Sequence, residues 1–241
     1  MKKIVRLVFL LAVIAGGVAV YRYPSWLPDV EYLRIREVVV TVEAPLTELE
    51  VRRTLPLLVG KNLLLVSGNS LMEKMRQNPW VLSATVKKEY PDRLVLSAQA
   101  KKPVATRQEA GRLIFLDDNG AEIDRWAPGR AADLDLPVIA FDKPETAKLW
   151  NSRTLVGILQ TLHKVAAPKF RVSQLVPTDP PYFKVFLTTP PLEILFSQHT
   201  YESQLPFFID VLSRPPRQIG QASKINLVFP KKAVVSFPVP H

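Results

Sequence analysis

Three histidines, an acidic loop and two glycine-bearing turns are the places where this chain could hold reactive chemistry, and each lacks a partner that the chemistry requires. His163, His199 and His241 have none of the i, i+4 spacing that puts two imidazoles on one metal ion. Asp117-Asp118-Asn119-Gly120 is similar to a calcium loop. With Gly120 at the sixth position, however, the first and twelfth fall on Phe115 and Trp126, and neither is a ligand. Gly68-Asn69-Ser70-Leu71-Met72 lacks the second glycine of a nucleophile elbow. Gly60-Lys61-Asn62 lacks the upstream glycine and the hydroxyl residue of a phosphate loop. The absence of cysteine removes disulfides, thiolate metal sites and thiol nucleophiles together. The expectation is therefore no enzyme, with no catalytic residue, cofactor, metal site or small-molecule substrate.

The formal charge is +10, from 32 basic and 22 acidic residues. The basic residues come as scattered pairs, Arg52-Arg53, Lys87-Lys88, Lys101-Lys102 and Lys231-Lys232, and not as one aromatic-studded stripe. That pattern fits a solvated surface and argues against nucleic acid.

The N-terminus sets the compartment. Lys2, Lys3 and Arg6 precede an uncharged, mostly apolar stretch from Leu7 to Tyr21, which Ile4 and Val5 extend if Arg6 snorkels. Arg22, Tyr23 and Trp26 suit the far interface, and the leading positive charge favours a cytoplasmic N-terminus. A cleaved signal peptide is the alternative, with Gly17-Val18-Ala19 as a small-x-small site. Both readings export the rest of the chain. Pro24 and Pro28 make the following segment a short, stiff linker.

The elements beyond it follow from pattern. Arg36–Val42 is a β-branched strand. Thr47/Glu50 and Ser70/Glu73 have capping-box spacing, so two short helices are expected, the first cut off by Pro56 and the second by Pro79. Ala84, Val86 and Tyr90, then Leu94, Leu96 and Ala98, alternate with polar residues around a Pro91-Asp92 turn, giving two more strands. The order strand–helix–helix–strand–strand lets the helices cover one face of a three-stranded sheet and leaves the other to water or a partner. After Pro103 the chain favours strands. Asn119-Gly120 marks a hairpin and "LDLPVIAF" an extended segment. Ser152–Ala166 is an amphipathic helix, and strands are expected at Arg171–Val176, Phe183–Thr188 and Leu192–Ser197. "YESQLPFFIDVL" has Leu205, Phe208, Ile209 and Leu212 on one helical face, with Pro206 suited only to the first turn. Two final strands flank Pro230-Lys231-Lys232.

The hairpin "NPWVLSATVKKEYPDRLVLSAQAKKPVAT" resembles the motif of the FtsQ/DivIB bacterial division proteins. The resemblance is carried by Pro79, Trp80, Val81, Ala84, Val86, Lys87 or Lys88, Pro91, Leu94, Pro103, Val104 and Ala105. "GKNLLLVSGNSLMEKM", "LIFLDDNGAEI" and "LDLPVIAF" are similar to further family segments. The chain departs from the family pattern at Ala100-Lys101-Lys102, at Asn226-Leu227-Val228 and in its very short N-terminal tail.

The resemblance implies an α+β protein with a single N-terminal transmembrane helix, a POTRA domain (β-α-α-β-β) and a mostly antiparallel β domain with two helices. The boundaries are 1–23 for tail and span, 24–32 for the linker, 33–103 for POTRA and 104–241 for the β domain. It implies a non-enzymatic divisome scaffold that binds FtsB-like and FtsL-like partners and helps control septal peptidoglycan synthesis. Its place would be the inner membrane, with the bulk periplasmic at the septum. The family's partner edge maps here onto Phe229, Ala233, Val234, Val235, Ser236 and Phe237. A sheet rim offers unpaired N–H and C=O groups, and aromatics there make good anchors. Trp80 is expected in the POTRA core. A POTRA-containing envelope protein for polypeptide docking or transport is the alternative. If the N-terminal stretch is an anchor, the full-length protein stays with the membrane fraction through a carbonate wash. A soluble form beginning near Val20 excludes the anchor.

Overall fold

The computed structural model describes residues 9–18, 31–125, 134–166, 170–213, 222–230 and 232–237. Residues 9–18 form helix α1. Among the described residues no helix is long and apolar enough to cross a membrane. The expected span, Leu7–Tyr21, extends past the described residues at both ends, and the tail, most of the linker, Trp126, Lys231 and His241 also lie outside them. The chain divides into two units, Met1–Ala100 and Lys101–His241.

The first unit follows the expected order: β1 (Glu37–Val42), α2 (Glu48–Thr54), α3 (Gly68–Arg76), β2 (Val81–Glu89) and β3 (Arg93–Ala100). The sheet order is β1-β3-β2, with β1 parallel and β2 antiparallel to β3. Thr47 caps α2 through the full capping box, its hydroxyl accepting from Glu50 N while the Glu50 carboxylate accepts from Thr47 N at 2.9 Å. Such a cap is worth about 1 kcal/mol. Leu55, held extended before Pro56, ends the helix.

The second helix corrects the expectation. Ser67, not Ser70, is the N-cap, its hydroxyl accepting from Ser70 N at 3.3 Å, and α3 begins at Gly68. Ser67 offers the same hydroxyl three residues earlier, so the helix gains most of a turn. Leu71 and Met75 face inward, as do Leu94, Leu96, Ala98 and Trp80, all buried. The opposite sheet face is polar. Arg93 reaches both Glu37 (3.4 Å) and Glu89 (3.8 Å), and Lys87 donates to Glu89 at 2.8 Å. That bond, and the Lys87 charge, hold the Glu89 carboxyl below its ordinary pKa. Ser83 donates to Gln99 at 2.6 Å on the same face, which suits water.

The second unit is a nine-stranded sheet in the order β12-β11-β10-β9-β8-β7-β4-β5-β6. Its strands are β4 (Ala105–Glu109), β5 (Arg112–Leu116), β6 (Glu122–Arg125), β7 (Val138–Ile139), β8 (Val172–Pro177), β9 (Tyr182–Leu187), β10 (Leu192–Ser197), β11 (Lys224–Asn226) and β12 (Val234–Ser236). The junctions β4–β7, β7–β8 and β10–β11 are parallel and the others antiparallel. Three helices accompany it where two were expected: α5 (Ser152–Ala166) and α6 (Tyr201–Ser213), plus a short α4 (Pro144–Leu149) that starts on a proline.

Pro206 lies in the second turn of α6 rather than the first, with its ring exposed. The packing of Leu205 and Phe208 holds the helix despite the missing donor. The Leu212 side chain is outside the described residues. Strand β4 also escapes the sequence pattern. It joins β5 through Ala110 (φ 49°) and Gly111 (φ 75°), a tight turn with both central residues left-handed. Alanine in the first of these positions hides the signal.

One face of this sheet is the core. Leu155, Ile158, Leu159 and Leu162 of α5 and Leu205 and Phe208 of α6 pack on Val185, Ile194, Leu175 and Ile225. Phe183 stacks on Phe196 at 5.6 Å and meets Tyr201 edge-on at 5.7 Å, and Phe196 meets Phe208 edge-on at 5.9 Å. Each such pair adds about 0.5–1.5 kcal/mol beyond area burial.

The β5–β6 hairpin is tied to the start of α5. Asp117 accepts from Asn119 N and Ala121 N, each at 2.9 Å, and Gln160 donates to the Asp118 carbonyl at 3.1 Å. Gly120 has φ +76°, and a Cβ there would lie 2.6 Å from Arg153 N. Gly120→Ala therefore combines left-handed strain with a backbone collision and should cost about 2–4 kcal/mol in urea unfolding. Gly157→Ala, in α5 with nothing within 4 Å of the added carbon, should stabilise by about 0.5–1 kcal/mol. Equal effects at the two sites would contradict this packing.

Candidate partner-binding edge

The C-terminal residues singled out from sequence lie together on the last strand of the nine-stranded sheet and the turn before it. β12 pairs antiparallel with β11, Ser236 opposite Lys224, Val235 opposite Ile225 and Val234 opposite Asn226. Among the described residues no strand lies beyond β12.

Strand parity decides which backbone groups are open. Successive residues point their N–H and C=O to alternate sides. On β11, Ser223 O accepts from Glu193 N at 3.0 Å and Leu227 N donates to Leu195 O at 2.9 Å. The Ser223 carbonyl, Ile225 and Leu227 therefore face β10, and Lys224 and Asn226 face β12 opposite Ser236 and Val234. Ser236 O also accepts from Ser223 N at 3.1 Å. The backbone groups of Ala233, Val235 and Phe237 are thus turned outward, away from the sheet.

The side chains divide the other way. Ala233, Val235 and Phe237 share the helix-covered face with buried Ile225. Ala233 packs against the core, and Val235 is half-buried. Phe237 is 48% exposed, while Val234, on the opposite face, is 54% exposed. Phe229, in the turn, is 55% exposed. Neither phenylalanine is a core residue, and Trp80, by contrast, is buried at 1%.

The turn is held from behind by residues the sequence reading did not select. Gln204, buried on α6, donates its Nε2 to the Phe229 carbonyl. Thr200 donates its hydroxyl to Val228 O at 3.4 Å, and Asn226 Oδ1 accepts from Val228 N at 3.0 Å. Lys232 N closes the turn onto Phe229 O at 3.2 Å. Nothing in the local pattern marks Gln204, because its acceptor lies 25 residues further along the chain. Next to it, burial and then a 3.0 Å bond donated to Glu202 push the Tyr201 hydroxyl above its ordinary pKa. It stays protonated at neutral pH. Below the turn, Lys224 meets Glu193 at 3.2 Å.

The other sheet rims are blunted. The outward backbone of β1 is that of Val38, Val40 and Val42, since Glu37 N and Glu43 N bond Asp92 O and Ala98 O across to β3. Arg52 of α2 donates to Val38 O at 3.0 Å, so part of that rim is taken. β2 is broken between Val81 and Ser83 and ends in Lys87, Lys88 and Glu89. β6 is irregular against β5 and carries Glu122, Asp124 and Arg125 in four residues. Charges and bulges of this kind deter strand addition. β12 and its flanking residues Ala233 and Phe237 have neither.

No group of three or more His, Cys, Asp or Glu side chains able to hold a metal occurs among the described residues. A cavity of about 500 Å³ lies beside Arg107, Phe141 and Trp150. Its half-buried cation, Arg107, is already engaged. Arg107 donates to Ser152 Oγ at 3.0 Å, to Glu109 at 2.9 Å and to Glu122. Burial works against the guanidinium charge, but the two carboxylates outweigh it and raise its pKa. This is a structural knot between β4, β6 and α5.

Comparison with known proteins agrees with the motif reading. Residues 33–97 match the family described as POTRA domain, FtsQ-type. The chain is 33% identical over 105 residues to the cell division protein FtsQ of Bradyrhizobium diazoefficiens, a match covering 44% of this chain and 31% of that protein. It is 28% identical over 229 residues to FtsQ of Anaeromyxobacter sp. strain K, covering 90% of this chain and 74% of that one. With FtsQ of Bartonella bacilliformis it shares 37% identity over 76 residues, 32% of this chain and 24% of the other. A solved structure of the major extracytoplasmic domain of the division protein DivIB from Geobacillus stearothermophilus aligns with 48% of this chain and 98% of its own, at 16% identity and a TM-score of 0.29.

Replacing Gln204 by Met keeps the volume and removes the donor. Expected are a stability loss of about 1 kcal/mol and faster amide hydrogen exchange confined to residues 227–237. Unchanged exchange in that stretch would show that the turn does not depend on α6.

Proposed function

We propose that this chain, with its FtsQ-type POTRA domain and its resemblance to the FtsQ/DivIB division proteins, is a non-enzymatic scaffold of the bacterial divisome. On this reading it is held in the inner membrane by one N-terminal helix, with residues 1–23 as tail and span and 24–32 as linker. Its POTRA domain (33–103) and β domain (104–241) lie in the periplasm at the septum. It recruits FtsB-like and FtsL-like partners by strand addition at β12 and so helps control septal peptidoglycan synthesis.

The observation that carries the proposal is the uncharged, outward-facing rim of β12 flanked by exposed Phe229 and Phe237. An extended partner segment can bond Val235 through both N–H and C=O, Ala233 through its carbonyl and Phe237 through its N–H. Each such bond contributes about 0.5–1.5 kcal/mol net. Full burial of each phenylalanine adds about 1.5–3 kcal/mol, less the cost of association. Together these reach a specific, moderate affinity without any reactive group.

The backbone itself can be tested. Val235→Pro removes an outward N–H while leaving the bonds from Val234 and Ser236 to β11. It should weaken binding of the extracytoplasmic segment of the FtsB-type protein of the same bacterium at least tenfold, with the melting temperature retained. Phe237→Ala should weaken it by about tenfold, or 1.4 kcal/mol, again without unfolding. Wild-type affinity in Val235→Pro would rule out β12 as the docking strand. A uniform envelope signal of the fluorescently tagged protein, in place of a midcell band, would rule out the divisome role itself.

A further inference from the structure

In the first unit, exposed leucines sit beside residues 33–35, in the described segment that follows α1. Residues 33–35 pair antiparallel with residues 61–63. Ile35 N donates to Lys61 O and Leu63 N to Leu33 O, both at 2.8 Å, with Arg34 opposite Asn62. This ladder fixes the loop. Leu58 and Leu63 point into the core, and Asn62, also buried, accepts from Leu64 N at 2.9 Å. Lys88 donates to Leu64 O at 3.1 Å.

The residues at the end of the ladder nearest Glu31 are Tyr32, Leu64 and Leu65, and all three are exposed large apolar side chains. The loop beneath them is held, with Leu65 N donating to Asn62 O at 3.1 Å and Arg34 N to Glu31 O at 3.2 Å. The charged residues around them are mainly basic: Arg34, Lys61 and Lys88 against Glu31, with Arg36 paired to Asp92 at 3.8 Å. Aliphatic side chains, a tyrosine and cations on one short rigid loop are the composition that a membrane interface selects.

We infer that Tyr32, Leu64 and Leu65 form a second membrane contact, in which the POTRA unit rests on the anionic lipid surface of the same bilayer that holds α1. The occupant follows from position. The ladder joins the loop to residues 33–35, and in sequence only residues 19–30 lie between the apolar helix at residues 9–18 and the described segment that opens at Glu31. A connection of that length spans at most about 40 Å, so an anchored α1 keeps a bilayer within reach of the loop. The inference rests on the anchor reading of the N-terminus, and the test separates the two.

The chain contains no cysteine, so single nitroxide labels can be placed at will. Four variants of the full-length chain are needed, Val13→Cys, Leu64→Cys, Leu65→Cys and Thr85→Cys, the last on the polar face of the POTRA sheet. Each is placed in nanodiscs of phosphatidylethanolamine and phosphatidylglycerol. Collision with oxygen is compared with collision with a water-soluble nickel chelate. Labels at 13, 64 and 65 should favour oxygen, and the label at 85 should favour nickel. Lipid exposure at 13 with aqueous exposure at 64 and 65 would overturn the contact while leaving the anchor intact. Aqueous exposure at 13 would overturn the anchor and the contact with it. Labels at 64 and 65 shielded from both reagents would mean that protein covers the loop, and that too overturns the lipid contact. Thermal melting of each variant establishes that the POTRA unit is folded.

Discussion

The burial of an aromatic cluster between α6 and the middle of the nine-stranded sheet is the constraint on which the C-terminal unit depends. Phe183, Phe196, Tyr201 and Phe208 lock the helix over β9 and β10. Once α6 is fixed there, its first turns reach the β11–β12 connection, where Gln204 and Thr200 hold the carbonyls of Phe229 and Val228. The final strand adds few contacts of its own, being three residues long. Its position is inherited from the helix behind it. A core interaction thereby sets the geometry of a surface, at the cost of one buried polar side chain whose bond to the Phe229 carbonyl offsets its desolvation.

The two sheets expose rims of very different character. In the first unit the guanidinium of Arg52, itself paired with Glu48 at 2.6 Å, occupies an outward carbonyl of β1, and β2 combines an irregularity with a charged end. In the second, β6 is short, charged and drawn into the Arg107 knot. Only β12 among the described rims is left uncharged and regular. Natural sheet proteins commonly protect their rims against unwanted pairing, and β12, with exposed Phe229 and Phe237 beside it, has the open rim that the proposed strand addition requires.

Polar groups inside the molecule serve architecture rather than reaction. Arg107 joins two strands to the start of α5, Trp150 Nε1 donates to the Thr178 carbonyl at 2.7 Å, and Asn78 Oδ1 accepts from Trp80 N at 3.0 Å. Each raised or lowered pKa has a structural cause, in burial or in an ion pair.

Much of this protein was legible in its residues before any coordinates. Local signals of fixed geometry survive intact: the Thr47/Glu50 box, Pro56 as a stop, the 3.6-residue period of Ser152–Ala166, and the alternation around Pro91. Each depends on neighbours within one or two turns, so the sequence carries it alone. Where two local solutions compete, the pattern misleads. Ser67 outbid Ser70 as the cap of α3, and Ala110 took a left-handed turn position that glycine or asparagine usually marks. Strand pairing across long separations was out of reach. That β7 lies between β4 and β8, that β10 and β11 run parallel, and that Gln204 grips a turn 25 residues away all follow from burial in three dimensions. The family resemblance mapped a candidate rim onto Phe229 and Ala233–Phe237. The tertiary structure alone decided that Val235 turns its backbone outward, because that parity is set by which residues of β11 are already committed to β10.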